Sequence, residues 1–297
     1  QTAEEAEVLA LFGTEEAAEE GLGEACPVLD YPSLLLRVLA HFRHLLRTDE
    51  HSSRGMRLTA MVLRHVGNHY AAWDYRCEFL LRHGTPALLA AELAFSDATI
   101  RAEPKGFQSW NHRRAVYEQL GAVEYAREAA FLAEILARDA RNYHLWGFRV
   151  WLADRFGLWR EELSCVETLL PADPHNNSLW SHRFHLARAL ALPREAEEKF
   201  CWESIRALPD NESSWSYLFG LYPEGLSVEA RAAIEDFADT CSRGFFALRA
   251  LLMDELRRPV ALREQARCTQ LLVRLRERAP HRASLWDYLA SQLTAEF

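Results

Sequence analysis

Of the 34 basic residues in this 297-residue chain, only two are lysines, Lys105 and Lys199. Lys105 stands in the connector Glu103-Pro-Lys-Gly106, just ahead of the stretch that contains Trp110. A compact ammonium on a long stem suits a phosphate oxygen, and a loop residue is well placed to project towards a ligand. Two histidine pairs, His65/His69 and His182/His185, have spacings of four and three, which put each pair on one helical face. Gly67 interrupts the first pair, and neither pair has an H-E-x-x-H or C-x-x-C context, so no metal site is expected in this chain. The sequence has no G-x-G-x-x-G, phosphate loop or G-x-S-x-G. The six cysteines (Cys26, Cys77, Cys165, Cys201, Cys241, Cys268) lie far apart and read as reduced structural thiols. These residues do not make a self-sufficient active site.

The elements that must position them come from a repeat. Trp73, Trp110, Trp146, Trp180 and Trp215 are separated by 37, 36, 34 and 35 residues, and Trp286 follows 71 residues later, two periods on. The missing member falls near Phe246, where Phe245-Phe246-Ala-Leu supplies aromatic bulk without Trp. Four of the tryptophans begin W-x-x-R, with Arg76, Arg113, Arg149 and Arg183. Asn142, Asn176 and Asn211 stand four residues before theirs, in Asp/Pro/Asn-rich connectors, and Asn and Asp cap helix starts. Each period holds two helical stretches. In one, Trp110–Leu120 is closed by Gly121, and a second helix runs from about Val123 to Arg138 with Ala129, Leu132 and Leu136 on one face. Strand signals are nearly absent.

The expected fold is all-α: an α-solenoid of about six or seven helix pairs, right-handed and crescent-shaped, over residues 31–297. Trp at one position per repeat would wedge between neighbouring pairs. Arg three residues on shares its face and would bond a carboxylate or a helix-end carbonyl, or stack on a ring. The other use for these side chains is to face a partner.

The formal charge of −9 is uneven. Residues 1–26 hold eight Glu and no basic residue, leaving 35 acidic against 34 basic residues in the remainder. Residues 1–30 therefore read as an acidic leader, flexible or helical, and not a signal peptide. An acidic total argues against nucleic acid as a partner. No stretch of ~18 apolar residues suggests a membrane span, and a cytoplasmic protein is expected.

The W-x-x-R tetrads preceded by Asn and an aromatic resemble the repeats of protein prenyltransferase α subunits over roughly residues 34–297. The sharpest segments are Asn68-His-Tyr-Ala-Ala-Trp-Asp-Tyr-Arg76, Pro104-Lys-Gly-Phe-Gln-Ser-Trp-Asn-His-Arg-Arg114, Arg141-Asn-Tyr-His-Leu-Trp146, Asn176-Asn-Ser-Leu-Trp180 and Asn211-Glu-Ser-Ser-Trp215. Phe42–Glu50 and Arg57-Leu-Thr59 resemble the family's entry helices. Within the family the match is best to the α subunit shared by protein farnesyltransferase and type I geranylgeranyltransferase. Gln108, and the lack of further domains, set the chain apart from Rab-specific α subunits. A non-catalytic helical-repeat scaffold is the reading from another class.

The resemblance implies a heterodimer, active only with a β subunit that carries zinc, with Mg as a candidate second ion, and the lipid pocket. No cofactor is expected in the α chain itself. Zinc lowers the pKa of a substrate cysteine thiol, and the thiolate attacks the first carbon of farnesyl or geranylgeranyl diphosphate. The acceptors implied are proteins ending in C-a-a-X, such as small GTPases. By the same resemblance, Lys105 matches the lysine that meets the diphosphate. Gln108 matches the residue that bonds the C-terminal carboxylate of the peptide. Tyr143 and His144 match residues lining the active-site side of the next repeat. Phe107 stands where the family has Tyr, so a hydroxyl is lost there. Gly106 replaces Asn, which removes a potential cap.

Overall fold

The computed structural model describes residues 3–12 and 32–293. Helix α1 (Ala3–Phe12) opens the acidic leader; the rest of that leader, with Cys26, lies outside the described residues. The chain divides into two units, residues 1–156 and 157–297. The first contains α1, α2 (Ser33–Arg47), α3 (Ser53–His65), α4 (Tyr70–His83), α5 (Pro86–Ala102), α6 (Phe107–Leu120), α7 (Tyr125–Arg138) and α8 (Tyr143–Phe156). The second contains α9 (Trp159–Leu169), α10 (Asn177–Ala189), α11 (Arg194–Ala207), α12 (Glu212–Gly220), α13 (Val228–Thr240), α14 (Phe245–Arg257), α15 (Gln265–Arg278) and α16 (Ala283–Ser291). No strand occurs among the described residues, and none of their helices is long and apolar enough to cross a membrane. None of the five described cysteines takes part in a disulfide.

The tryptophan helices pack side by side within each unit: α4 on α6 and α6 on α8 in the first, α10 on α12 and α12 on α14 in the second. Every tryptophan that sets the period is buried. Its indole N–H is satisfied by the connector that leads into its own helix. Trp73, Trp110, Trp146, Trp180 and Trp215 donate to the carbonyls of Gly67, Pro104, Ala140, Pro174 and Pro209, each six residues upstream, at 2.8–3.0 Å. Trp286 does the same to Ala279 at 2.9 Å. The large ring fills the gap between helices, and its one polar atom fixes the loop.

This geometry moves a boundary. Helix α6 begins at Phe107, three residues before the start expected at Trp110, because the ring must sit one turn inside the helix to reach the connector behind it. The following helix begins at Tyr125, and Gly121 closes α6 in the left-handed region at φ +65. Asn176 and Asn211 cap their helices as expected, accepting from Ser178 and Ser213 at 3.0 and 3.1 Å.

Three of the W-x-x-R arginines meet a carboxylate and an aromatic ring together. Arg76 grips Glu92 through two bonds of 2.7 Å and lies 3.7 Å from the Phe95 ring centre. Arg113 grips Glu128 at 2.8 and 2.5 Å, bonds Asp97 at 2.6 Å and lies 4.3 Å from Phe131. Arg183 grips Glu197 at 2.8 and 2.9 Å and lies 3.7 Å from Phe200. The partners form a second motif, E-x-x-F, on the helix that follows each tryptophan helix. Two of these glutamates, Glu92 and Glu197, also reach forward into the next repeat. His112, two residues after Trp110, stands 2.6 Å from Glu92, and Tyr217, two residues after Trp215, donates to Glu197.

Such pairs are strong only while complete. Glu128→Ala leaves Arg113 charged and buried and is expected to cost about 3–5 kcal/mol in urea unfolding. Removing the exposed Arg155–Glu118 pair, at 2.8 Å, is expected to cost under about 1 kcal/mol.

Candidate functional site

Lys105 sits between α5 and α6 in a connector held from several sides. The carbonyl of Pro104 accepts from Trp110 Nε1 at 2.8 Å and from Asn142 Nδ2 at 3.0 Å. Asn142 Oδ1 in turn accepts from Leu145 N at 3.1 Å, so one asparagine caps α8 and clasps the preceding connector. The backbone N–H of Lys105 donates to Glu103 at 3.3 Å, and the Ser109 hydroxyl donates to the Gly106 carbonyl at 2.8 Å. Gly106 stands at the N-cap of α6 and supplies no side-chain cap.

The ammonium of Lys105 itself remains exposed. It lies 3.8 Å from an Asp139 oxygen with its side chain 74% accessible. A solvated pair of that length holds weakly. The connector thus combines a hydrogen-bonded backbone with an exposed cationic tip.

The neighbouring ring cluster is made from the first turns of α6 and α8. His144 bonds the Lys105 backbone. Its ring centre is 6.2 Å from Phe107 and 4.1 Å from Tyr143. Burial, and the charge of Arg114, push the His144 pKa below its ordinary value of 6.5 despite that backbone bond. Neutral imidazole keeps one N–H to donate and one nitrogen to accept. Phe107 and Tyr143 are large side chains left 53% and 73% exposed. Lys105, Phe107, Tyr143 and His144 are thus brought together. Gln108 shares the first turn of α6, half-buried, and takes no part in the ring cluster.

Two further side chains belong to this edge. Tyr70 is the first residue of α4 and is 67% exposed, in the register of Phe107 and Tyr143, three residues before its tryptophan. That register was the signal available for it in the sequence. Arg114 stands 5.7 Å from the Trp151 ring centre, and its Nε finds no hydrogen-bond partner. Burial lowers its pKa. Away from this edge, His182 bonds the buried Glu162 at 2.8 Å and His69 caps α4 through Ala72 N at 3.3 Å, so both carry structural bonds.

Helix hairpins closed by tryptophan and pinned by buried Arg–Glu pairs define a helical-repeat protein. A model of the protein prenyltransferase alpha subunit repeat matches residues 89–120, 125–156 and 159–190. Each match pairs a second helix with the next tryptophan helix. The chain is 34% identical over 217 residues to the protein farnesyltransferase/geranylgeranyltransferase type-1 subunit alpha of Dictyostelium discoideum, covering 69% of this chain and 66% of that one. It is 28% identical over 214 residues to the Candida albicans subunit of the same description, covering 67% and 68%. It is 30% identical over 183 residues to the mouse geranylgeranyl transferase type-2 subunit alpha, of whose length it spans only 32%. A chain from the structure of Candida albicans protein geranylgeranyltransferase-I complexed with GGPP superposes with a TM-score of 0.76 at 26% identity, over 91% of this chain and 93% of that one. The chain belongs to the protein prenyltransferase α subunit family.

A histidine with a lowered pKa makes a contribution to stability that is complete above its unfolded value of 6.5 and is lost as pH falls through the lower folded value. The His144 ring protons are expected to titrate below pH 6.5 in NMR, and Arg114→Met to move that midpoint upwards. Asn142→Ala, which loses a cap and the Pro104 clasp, is expected to cost about 1–2 kcal/mol in chemical unfolding.

Proposed function

We propose that this chain is the α subunit of a heterodimeric protein prenyltransferase of the farnesyl/geranylgeranyl type I class. It assembles in the cytoplasm with a β subunit. The pair attaches an isoprenyl group to the cysteine of a C-terminal C-a-a-X sequence. The observation that carries this reading is the Lys105 loop: an exposed ammonium on a backbone clamped by Trp110, Asn142 and His144.

In the transfer, a bond forms between the substrate sulfur and the first isoprenyl carbon. The carbon–oxygen bond to diphosphate breaks, and pyrophosphate leaves with both electrons. The charge developing on the leaving oxygens is met by Lys105, which exchanges Asp139 for phosphate oxygen. Neutral His144 spends its one ring N–H on the Lys105 carbonyl and so positions the loop rather than the phosphate. Tyr143 adds a hydroxyl to the same edge, and Phe107 adds apolar surface. Gln108 offers an amide N–H to the terminal carboxylate of the peptide without burying a second charge.

Zinc belongs with the β subunit in this reading. The described residues of this chain offer no group of three His, Cys, Asp or Glu side chains that would hold a metal. The steps given to this chain are therefore anion binding and peptide positioning. Gln108 and the type I relatives favour C-a-a-X acceptors over Rab proteins.

The test is co-expression with a prenyltransferase β subunit and prenyl transfer to C-a-a-X peptides of varied last residue. Lys105→Ala is expected to lower turnover by about 10²–10³ with the heterodimer intact, the size typical of one lost oxyanion donor. Gln108→Ala is expected to raise the peptide KM more than it lowers kcat. An unchanged rate in Lys105→Ala would sink the assignment.

A further inference from the structure

The second unit contains a cavity of about 440 Å³ lined by Leu170, Pro171, Trp180, Phe200, Glu203 and Ala207, among others. What it is built to take can be read from the corresponding place in the first unit, where this chain fills the same space itself.

There, Arg101 runs between the ends of α5 and α7. Its guanidinium bonds Glu134 at 2.9–3.0 Å and lies 5.2 Å from the Phe131 ring centre. Arg138 closes the arrangement, donating to the Arg101 carbonyl at 3.0 Å and standing 3.5 Å from Glu134. The repeat sets the correspondence. Pro171 precedes Trp180 by nine residues, as Arg101 precedes Trp110. Glu203 and Ala207 precede Trp215 by twelve and eight, as Glu134 and Arg138 precede Trp146. The ring pair is kept: Trp180 and Phe200 stand 5.8 Å apart, Trp110 and Phe131 6.4 Å. The aromatic floor and the carboxylate are therefore retained, while both arginines have become Pro and Ala. The cavity lies where they would be.

We propose that this cavity is a docking socket for an arginine side chain presented by a partner protein, its stem on Phe200 and Trp180 and its guanidinium on Glu203. Glu167 also lines the socket, already bonded by Arg183 at 3.2 Å, and no Lys or Arg is among the lining residues. That charge pattern separates two sources of guanidinium. A free amino acid brings an α-carboxylate, which would face Glu203 with no lining cation to receive it. An arginine within a polypeptide brings neutral amides, and the apolar walls accept its neighbour.

The test uses the full chain and ligand-observed NMR with acetyl-Leu-Arg-amide as probe. Acetyl-Leu-citrulline-amide, the uncharged isostere, and free L-arginine are titrated alongside. The arginine dipeptide is expected to bind, with the citrulline form and free arginine each about tenfold weaker. Glu203→Gln is expected to weaken the dipeptide about tenfold. Pro171→Arg places the chain's own guanidinium in the socket and is expected to abolish probe binding, while melting no lower than the parent chain. Equal binding of the arginine and citrulline probes overturns the proposal, as does binding unaffected by both substitutions. Tighter binding of free arginine than of the dipeptide also overturns it, by making the socket a metabolite site.

Discussion

A guanidinium does not give up its proton inside a protein, so a buried arginine must be met by fixed negative charge. Arg113 is fully buried, and its partners are a glutamate, an aspartate and a serine drawn from the two helices on either side of its own. Burial alone would depress its pKa, but Glu128 and its neighbours hold it above its ordinary value. Helix spacing and rotation around each such arginine are thereby specified, because a bidentate pair tolerates little displacement. A ring beneath the guanidinium fixes the remaining direction. Apolar packing by Leu and Trp would bring the helices together without dictating which turn meets which.

The same pairs carry specification from one repeat to the next. Glu92 receives Arg76 from its own repeat and His112 from the following one. Burial works against the charge on Glu92, yet these two donors keep its pKa below the usual range. Where the residue two after the tryptophan cannot donate, as at Phe148, the glutamate is served from within: Glu128 accepts from Tyr117 instead. The stitching is thus adaptable in its donors and constant in its acceptors.

The rigid frame extends into its connectors. The tryptophan indoles and Asn142 spend their hydrogen bonds on loop carbonyls, so the loops inherit the precision of the helices. Lys105 differs from a surface lysine in this respect alone: its exposed tip is ordinary, but its backbone is not free to wander. The first residues of α4, α6 and α8 then line up as Tyr70, Phe107 and Tyr143.

The tryptophan period, the paired helices and the asparagine caps were legible in the sequence because each depends on residues within one turn or one repeat. The Arg partner was foreseen only as one of several kinds. Its E-x-x-F motif, 18 residues before the next repeat tryptophan in all three cases, escaped notice because glutamate is too common to mark a position. The start of α6 was placed three residues late because the back-reaching indole bond is invisible in a linear pattern. Asn142 read as a cap, and its second bond, to a carbonyl 38 residues away, exists only when the repeats are stacked. Periodicity in sequence determines which helices form and which face each one buries, since both follow from short-range geometry. Tertiary structure decides which charges meet, how firmly Lys105 is held and which spaces are left unfilled, since those depend on side chains brought together across whole repeats.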